Sequence, residues 1–301
     1  MKAKSRIHFI SFSGGPLYTY FARMRLFREI SKTDVFSSFE IYKPRDLGGF
    51  DREILKAITE MFKVNPRGFG FWLWKPTVIN EKLKSIGHGE YLVYADVGCE
   101  VKDFLATEQL ITDMESRNIA MVWSTNSPKG YGVRTYGAEE KNWTKKGVID
   151  ILGLNEREQN TPQLGATWLL IRKTEQTVNF VEKWLEICKM DNSKFLIDDS
   201  SRLNECKNFV EHRHDQSIFS CLVKLDKTLY SQREEIRSLG EQIEENWIRP
   251  TRNFSMFDSK NKSKRIKFAN AITAKYKSIE NRFMRMRIWR IFLLVIKDNR
   301  H

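Results

Sequence analysis

Two stretches of the chain put reactive residue types where a fold can use them. The first is Tyr91-Leu92-Val93-Tyr94-Ala95-Asp96-Val97-Gly98, an apolar run that ends in a carboxylate and then a glycine. A short apolar run bounded by turn signals fits a buried strand of a parallel sheet. Ligands in open α/β sheets bind just beyond the carboxyl ends of such strands. Asp96 at that end can hold a divalent metal or a ribose hydroxyl, and Gly98 lets a phosphate or a second backbone come close. A plainer reading stands beside it, in which Asp96 caps the next turn and Gly98 relieves strain. The second stretch is Glu211-His212-Arg213-His214-Asp215-Gln216-Ser217. An arginine here can bind a diphosphate, and a histidine can donate to it or complete a metal shell. Two histidines, an arginine and two acids in five residues are more than a surface loop needs. Asp215 or Ser217 also suits the cap of the helix that follows.

Other candidates lie between these two. Phe69, Phe71, Trp72 and Trp74 precede Lys75-Pro76. Trp74 can form a platform under a base or sugar, Lys75 can neutralise a phosphate as a point charge, and the remaining aromatics read as packing. Gln163 can hydrogen-bond a sugar, whereas Gly165 can simply make room for a turn. Asp198-Asp199 is either a hydrophilic loop or a second source of a general base. Arg23 and Arg25 either reach a diphosphate or stay in solvent.

The elements needed to position these groups follow from periodicity. Strands are expected at 6–12, 36–42, 91–94, 119–123 and 168–171. Helices are expected at 18–30, 51–62, from Pro76 to 83, 105–114, after an N-cap at Thr144, 175–190 and 218–223. Strands alternating with helices predict an α/β sheet. The stretch 127–143 reads as a polar loop near the site, and 229–247 as charged helices.

The order and spacing of the 68–76 aromatic cluster, Asp96 with Gly98, and the 212–217 segment resemble bacterial sugar transferases of the GT-A fold that build capsule and lipopolysaccharide. The resemblance covers roughly the first four fifths of the chain. It implies a GT-A-like, mostly parallel mixed sheet flanked by helices, an enzyme of the glycosyltransferase class, and a nucleotide-sugar donor, a UDP-sugar first. Phe12 and Ser13 would line the base and ribose pocket. Tyr94, Asp96 and Gly98 would complete the donor site with Trp74, Lys75, Arg213 and His214. Asp96 would bind Mn²⁺ or Mg²⁺, but Gly98 stands where many such enzymes carry the second acid of a DxD motif, which leaves metal dependence open. Gln163, Gly165 and His212 would face the acceptor or transferred sugar. Asp215 and Gln216 would lie near the anomeric carbon, with Asp215 as general base if the reaction inverts and Asp199 second.

Composition narrows the classes. An apolar content of 41% supports a full core and excludes a disordered chain. Cys99, Cys188, Cys206 and Cys221 form no CxxC pair, which argues against zinc and for a reducing compartment. No signal peptide and no membrane-spanning run are read. The formal charge is +13; from Lys260 onward thirteen Lys and Arg face Glu280 and Asp298, giving +11, so the rest of the chain carries +2. This divides the chain into a transferase domain, 1–259, and a basic tail, 260–301. Ile272, Tyr276, Ile279, Phe283 and Met286 make one apolar stripe there. Such a tail suits the surface of an anionic membrane, and the expected location is the inner face of a bacterial plasma membrane. The acceptor would then be a glycan or glycolipid. A tail-dimerised interaction protein, or a basic nucleic-acid binder, is the alternative; charge confined to the tail speaks against nucleic acid.

Overall fold

A computed structural model of the chain describes residues 6–14, 17–50, 52–64, 68–103, 105–125, 138–198 and 204–251. The tail 260–301, Asp199 and residues 127–137 of the expected loop lie outside the described residues; the end of that loop, Glu140–Trp143, is helical instead. The chain opens with β1 (Ile7–Phe12), α1 (Leu17–Ile30) and β2 (Ser38–Tyr42). Then come α2 (Arg52–Val64), a single turn α3 (Gly68–Phe71), α4 (Trp74–Ser85) and β3 (Tyr91–Ala95). After β4 (Glu100–Val101), α5 (Thr107–Ser116) and β5 (Met121–Trp123) lie the short α6 (Glu140–Trp143), α7 (Lys146–Leu152) and α8 (Glu156–Gln159). The second half holds β6 (Trp168–Arg172), α9 (Glu175–Ser193), α10 (His214–Leu225), α11 (Lys227–Ser231), α12 (Arg233–Asn246) and β7 (Ile248–Arg249).

Five strands form one mixed sheet in the order β2-β1-β3-β6-β5. β1 pairs in parallel with β2 and β3, while β6 runs antiparallel to both β3 and β5. Four of the five strands therefore share one direction. Every residue of β3 is buried, as a central strand covered on both faces requires. Helices flank the sheet: α4 packs on α9 and on β1, and α12 packs on β5. The expected mixed α/β class is observed. The antiparallel β6 is the element whose direction no residue pattern specifies.

Two expected caps are corrected. The helix assigned to an N-cap at Thr144 starts at Lys146 with Lys145 at its cap, while the Thr144 hydroxyl donates to Glu140. Neither Asp215 nor Ser217 caps α10. Arg213 occupies the N-cap and Asp215 lies in the first turn, where the helix dipole favours a carboxylate. The Ser217 hydroxyl accepts from the Arg213 N–H at 3.1 Å and donates to the Trp143 carbonyl at 2.8 Å.

The loop that follows β3 is held from α1. Arg25 is buried, and its guanidinium donates to the carbonyls of Val97 at 3.1 Å and Cys99 at 2.9 Å and to both oxygens of Glu29. Glu29 in turn accepts the Val101 N–H at 3.0 Å. Burial raises the Glu29 carboxyl above its usual range, with Arg25 opposing. Arg25 thus reaches neither solvent nor a diphosphate; it shapes the turn beside Asp96. Arg25→Met leaves a half-buried carboxylate and two carbonyls without their cation, so a loss of about 3 kcal/mol is expected in chemical denaturation. Adding Glu29→Gln recovers part of it. A single variant as stable as the parent rules this clamp out.

Candidate active site

Lys75 is the second residue of α4, and its side chain is only 4% exposed. The segment before it is wound left-handed. Gly68, Phe69, Gly70, Phe71 and Trp72 all have φ between 52° and 82°. Three of these carry side chains that disfavour that region, so surrounding packing must enforce it. A Cβ on Gly68 would lie 2.2 Å from the Trp72 ring, and one on Gly70 would lie 3.0 Å from the Ile58 carbonyl. The turn brings Phe71 and Trp72 against the imidazole of His214, at centroid distances of 4.9 and 5.4 Å.

The Lys75 ammonium lies between groups that are far apart in sequence. It is 3.4 Å from Asp96 Oδ1, 3.0 Å from Asp215 Oδ2 and 3.2 Å from the Ala166 carbonyl. The Tyr94 hydroxyl donates to the same Asp96 oxygen, and the ammonium lies 5.5 Å from the Tyr94 ring centroid. Burial alone would lower the Lys75 pKa, but Asp215 and Asp96 together hold it above its ordinary value. Lys75 is therefore charged at neutral pH. Burial pushes Asp215 up to about 6, against the pull of Lys75 and with Asp96 adding to the rise. Tyr94 is raised well above its usual range, first by burial and then by Asp96, so it remains a donor. Asp96 is the outward member of the cluster, with its side chain 34% exposed, and Asp215 the inward one at 4%.

The other residues singled out in the sequence fall around this centre. Gln216 donates to Gln163 Oε1 at 2.9 Å and accepts from the Ala166 N–H at 3.4 Å. Gln163 is buried, and its amide nitrogen lies 3.1 Å from Glu140 Oε1 and 3.0 Å from the Thr144 hydroxyl. Gly165 is buried beside Ala166. His212 is buried, with Nε2 at 2.8 Å from the Phe195 carbonyl and Nδ1 accepting from the Lys145 N–H at 3.4 Å. His214 Nδ1 donates to the Leu196 carbonyl at 2.6 Å, and Nε2 lies 3.9 Å from Asp198, the neighbour of Asp199. The Arg213 guanidinium stacks 3.9 Å from the Trp143 centroid. Phe12 and Trp74 stack on each other at 4.1 Å, both buried, and the Trp74 indole N–H donates to the Gly68 carbonyl at 2.8 Å. The Ser13 hydroxyl donates to the Thr19 carbonyl at 3.1 Å. The Gly98 carbonyl accepts from Thr251 at 3.3 Å.

Sequence reasoning missed what stands behind Gln163. Glu140 and Lys224 form a 2.7 Å ion pair with both side chains wholly buried, and Ser220 donates to the same carboxylate. The one signal for it was a lysine placed within an apolar helix.

Among the described residues no three His, Cys, Asp or Glu side chains gather as a metal-binding group. Of the two carboxylates on Lys75, Asp96 turns outward while Asp215 is buried against the ammonium. That donor set fits an ion brought in by a diphosphate, which needs one or two carboxylates from the protein, rather than an ion held by the protein itself.

No family model matches the chain, and no curated protein matches it. Among solved structures it is similar to the apo form of mouse xyloside xylosyltransferase 1, at 8% identity over 74% of this chain and 83% of that one, with a TM-score of 0.39. It is also similar to the apo structure of the bifunctional glycosyltransferase WbbM (10%; 74% and 38%; TM-score 0.37). A third similarity is to the galactosyltransferase LgtC with donor and acceptor sugar analogues (14%; 72% and 70%; TM-score 0.34).

The ionisation of Asp215 is open to measurement. Its folded pKa of about 6 lies above the ordinary 3.8, so its contribution to stability is complete below 3.8 and lost as pH rises through about 6. Asp215→Asn mimics the protonated form. The variant should therefore gain on the parent as pH rises, by on the order of 3 kcal/mol in denaturation experiments. A difference that stays flat with pH removes the shifted carboxyl.

Proposed function

We propose that this chain is a glycosyltransferase that moves a hexose-type sugar from a nucleoside diphosphate donor, a UDP-sugar first, to a lipid-linked or capsule-type glycan. One observation supports the reading above the others. Asp96, at the carboxyl end of a central parallel strand, and Asp215, at the start of a helix 119 residues on, share the Lys75 ammonium. That edge of an α/β sheet is where ligands bind. Asp96 is the residue that would hold a diphosphate-borne Mg²⁺ or Mn²⁺, which when bound neutralises charge on the departing nucleoside diphosphate.

The chain's own residues divide the remaining work. Lys75 fixes both carboxylates, so their charge is aimed before substrate arrives and needs no reorganisation. Asp215, ionised above about pH 6 and buried behind Asp96, places negative charge toward the point where positive charge develops at the anomeric carbon. Gln216, fixed by Gln163 and the Ala166 N–H, offers a preset amide beside it. Arg213, spread over Trp143, is the nearby cation able to meet the diphosphate in a bidentate way. Residues 260–301, by their charge and apolar stripe, are proposed to hold the enzyme on an anionic membrane as a peripheral protein. No helix among the described residues is long and apolar enough to cross a membrane.

The test is nucleotide release from UDP-, GDP-, CMP- and dTDP-sugars, with Mn²⁺, with Mg²⁺ and with chelator. One donor class should turn over. Asp96→Asn and Asp215→Asn should each lower the rate by about 10²–10³-fold with the circular dichroism unchanged. Full turnover in folded Asp96→Asn overturns the assignment.

A further inference from the structure

The outer face of α1 is apolar where a surface helix is normally polar. Tyr20, Met24 and Phe27 form an exposed stripe at spacings of four and three, and Phe27 is 53% exposed. The buried side of the same helix already carries Ala22, Leu26 and Ile30. Beside the stripe, between α1 and the edge strand β2, lies a groove of about 440 Å³. Its floor is Met24, Phe27, Phe39 and Ile41, and its rim carries Arg23 and Lys43, with Arg28 as a third cation. Phe27 meets Phe39 edge-on at 5.4 Å, which keeps the floor continuous from helix to strand.

No acid lines the groove. Glu40 points to the other side of β2, where it binds Lys82 at 2.6 Å. Glu29 is committed to Arg25, and Asp46 receives the Lys43 N–H and lies 3.5 Å from Arg45. Burial and the nearby Arg23 and Arg45 hold the Lys43 ammonium below its usual range, as expected where cations crowd. An apolar floor under a cationic rim complements an anionic amphiphile. The chain's own segment from Lys260 onward carries +11 and would be repelled, and a second copy of this face presents the same cations.

We propose that this face of α1 and β2 docks on an anionic phospholipid surface, with lipid phosphates on Arg23 and Lys43 and with Tyr20, Met24 and Phe27 entering the headgroup layer. The face adjoins the end of β2, whose Tyr42 carbonyl accepts the Ser13 N–H at 2.8 Å. It therefore sits at the same sheet edge as the candidate site, and membrane contact there would present that site to a lipid-linked acceptor. The docking itself does not depend on sugar transfer.

The experiment is co-sedimentation of the full chain with vesicles of phosphatidylcholine, with and without phosphatidylglycerol. The parent should bind only the anionic vesicles. Arg23→Glu with Lys43→Glu should weaken that binding about tenfold or more at low salt. Met24→Ser with Phe27→Ser should weaken it several-fold and make the remainder fully salt-sensitive, while nucleotide release in solution stays at the parental rate. Both double variants binding like the parent, or a parent that ignores anionic vesicles, overturns the proposal. So does a lipid-free dimer that Met24→Ser with Phe27→Ser converts to monomer, which makes the face a contact between copies. Absence of donor turnover with lipid binding shifted as stated counts against sugar transfer alone.

Discussion

The fold has to accommodate the buried ammonium of Lys75. Removing an amine charge from water costs far more than any single hydrogen bond returns, so Lys75 is tolerable only where opposite charge is already in place. That charge comes from the end of β3 and the start of α10, and a carbonyl between them completes the shell. Three chain segments must therefore converge to within about a hydrogen bond's length before any is settled. The convergence also explains the unequal carboxylates. Asp96 keeps contact with solvent, whereas Asp215 is sealed in and holds its proton more tightly.

Behind this cluster the same problem recurs at Arg25 and at Lys224. Arg25 is sealed against the loop after β3 by Glu29 and two carbonyls. Lys224 is sealed against Glu140, with Ser220, Gln163 and Thr144 taking up the remaining capacity of that carboxylate. Buried pairs of this kind are weak evidence of added stability, but they fix geometry, because a misplaced partner leaves a charge uncompensated. Here both lie one layer from the candidate site. One shapes the turn next to Asp96, and the other sets the amide of Gln163 and so that of Gln216.

Much of this was legible in the sequence, for reasons particular residues show. β3 announces itself as an apolar run ended by Asp96-Val97-Gly98, and α9 by the spacing of Val181, Trp184, Leu185 and Cys188. The meeting of Asp96 with the 212–217 segment was expected from the resemblance to GT-A sugar transferases; residue types alone mark each as a candidate without joining them. Arg25 and Lys224 were not legible. Arg25 looks like a solvated cation on a helix, and Lys224 differs only in its apolar helix; the long-range partner is what shows that each is buried. The direction of β6 was equally hidden, because strand residues buried on both faces look the same whichever way the strand runs. The left-handed turn at 68–72 has two glycines to mark it, but Phe69, Phe71 and Trp72 adopt it against their own preference.

The short ribbon of β4 with β7 ties residues 248–251 back to the loop after β3. It pairs Glu100 with Arg249, and Thr251 then reaches back to the carbonyl of Gly98, two residues beyond Asp96. Residue 251 is thereby fixed beside the turn that carries Asp96. A change anywhere in this ribbon is therefore felt at the turn beside Asp96, without altering a side chain of the Lys75 cluster.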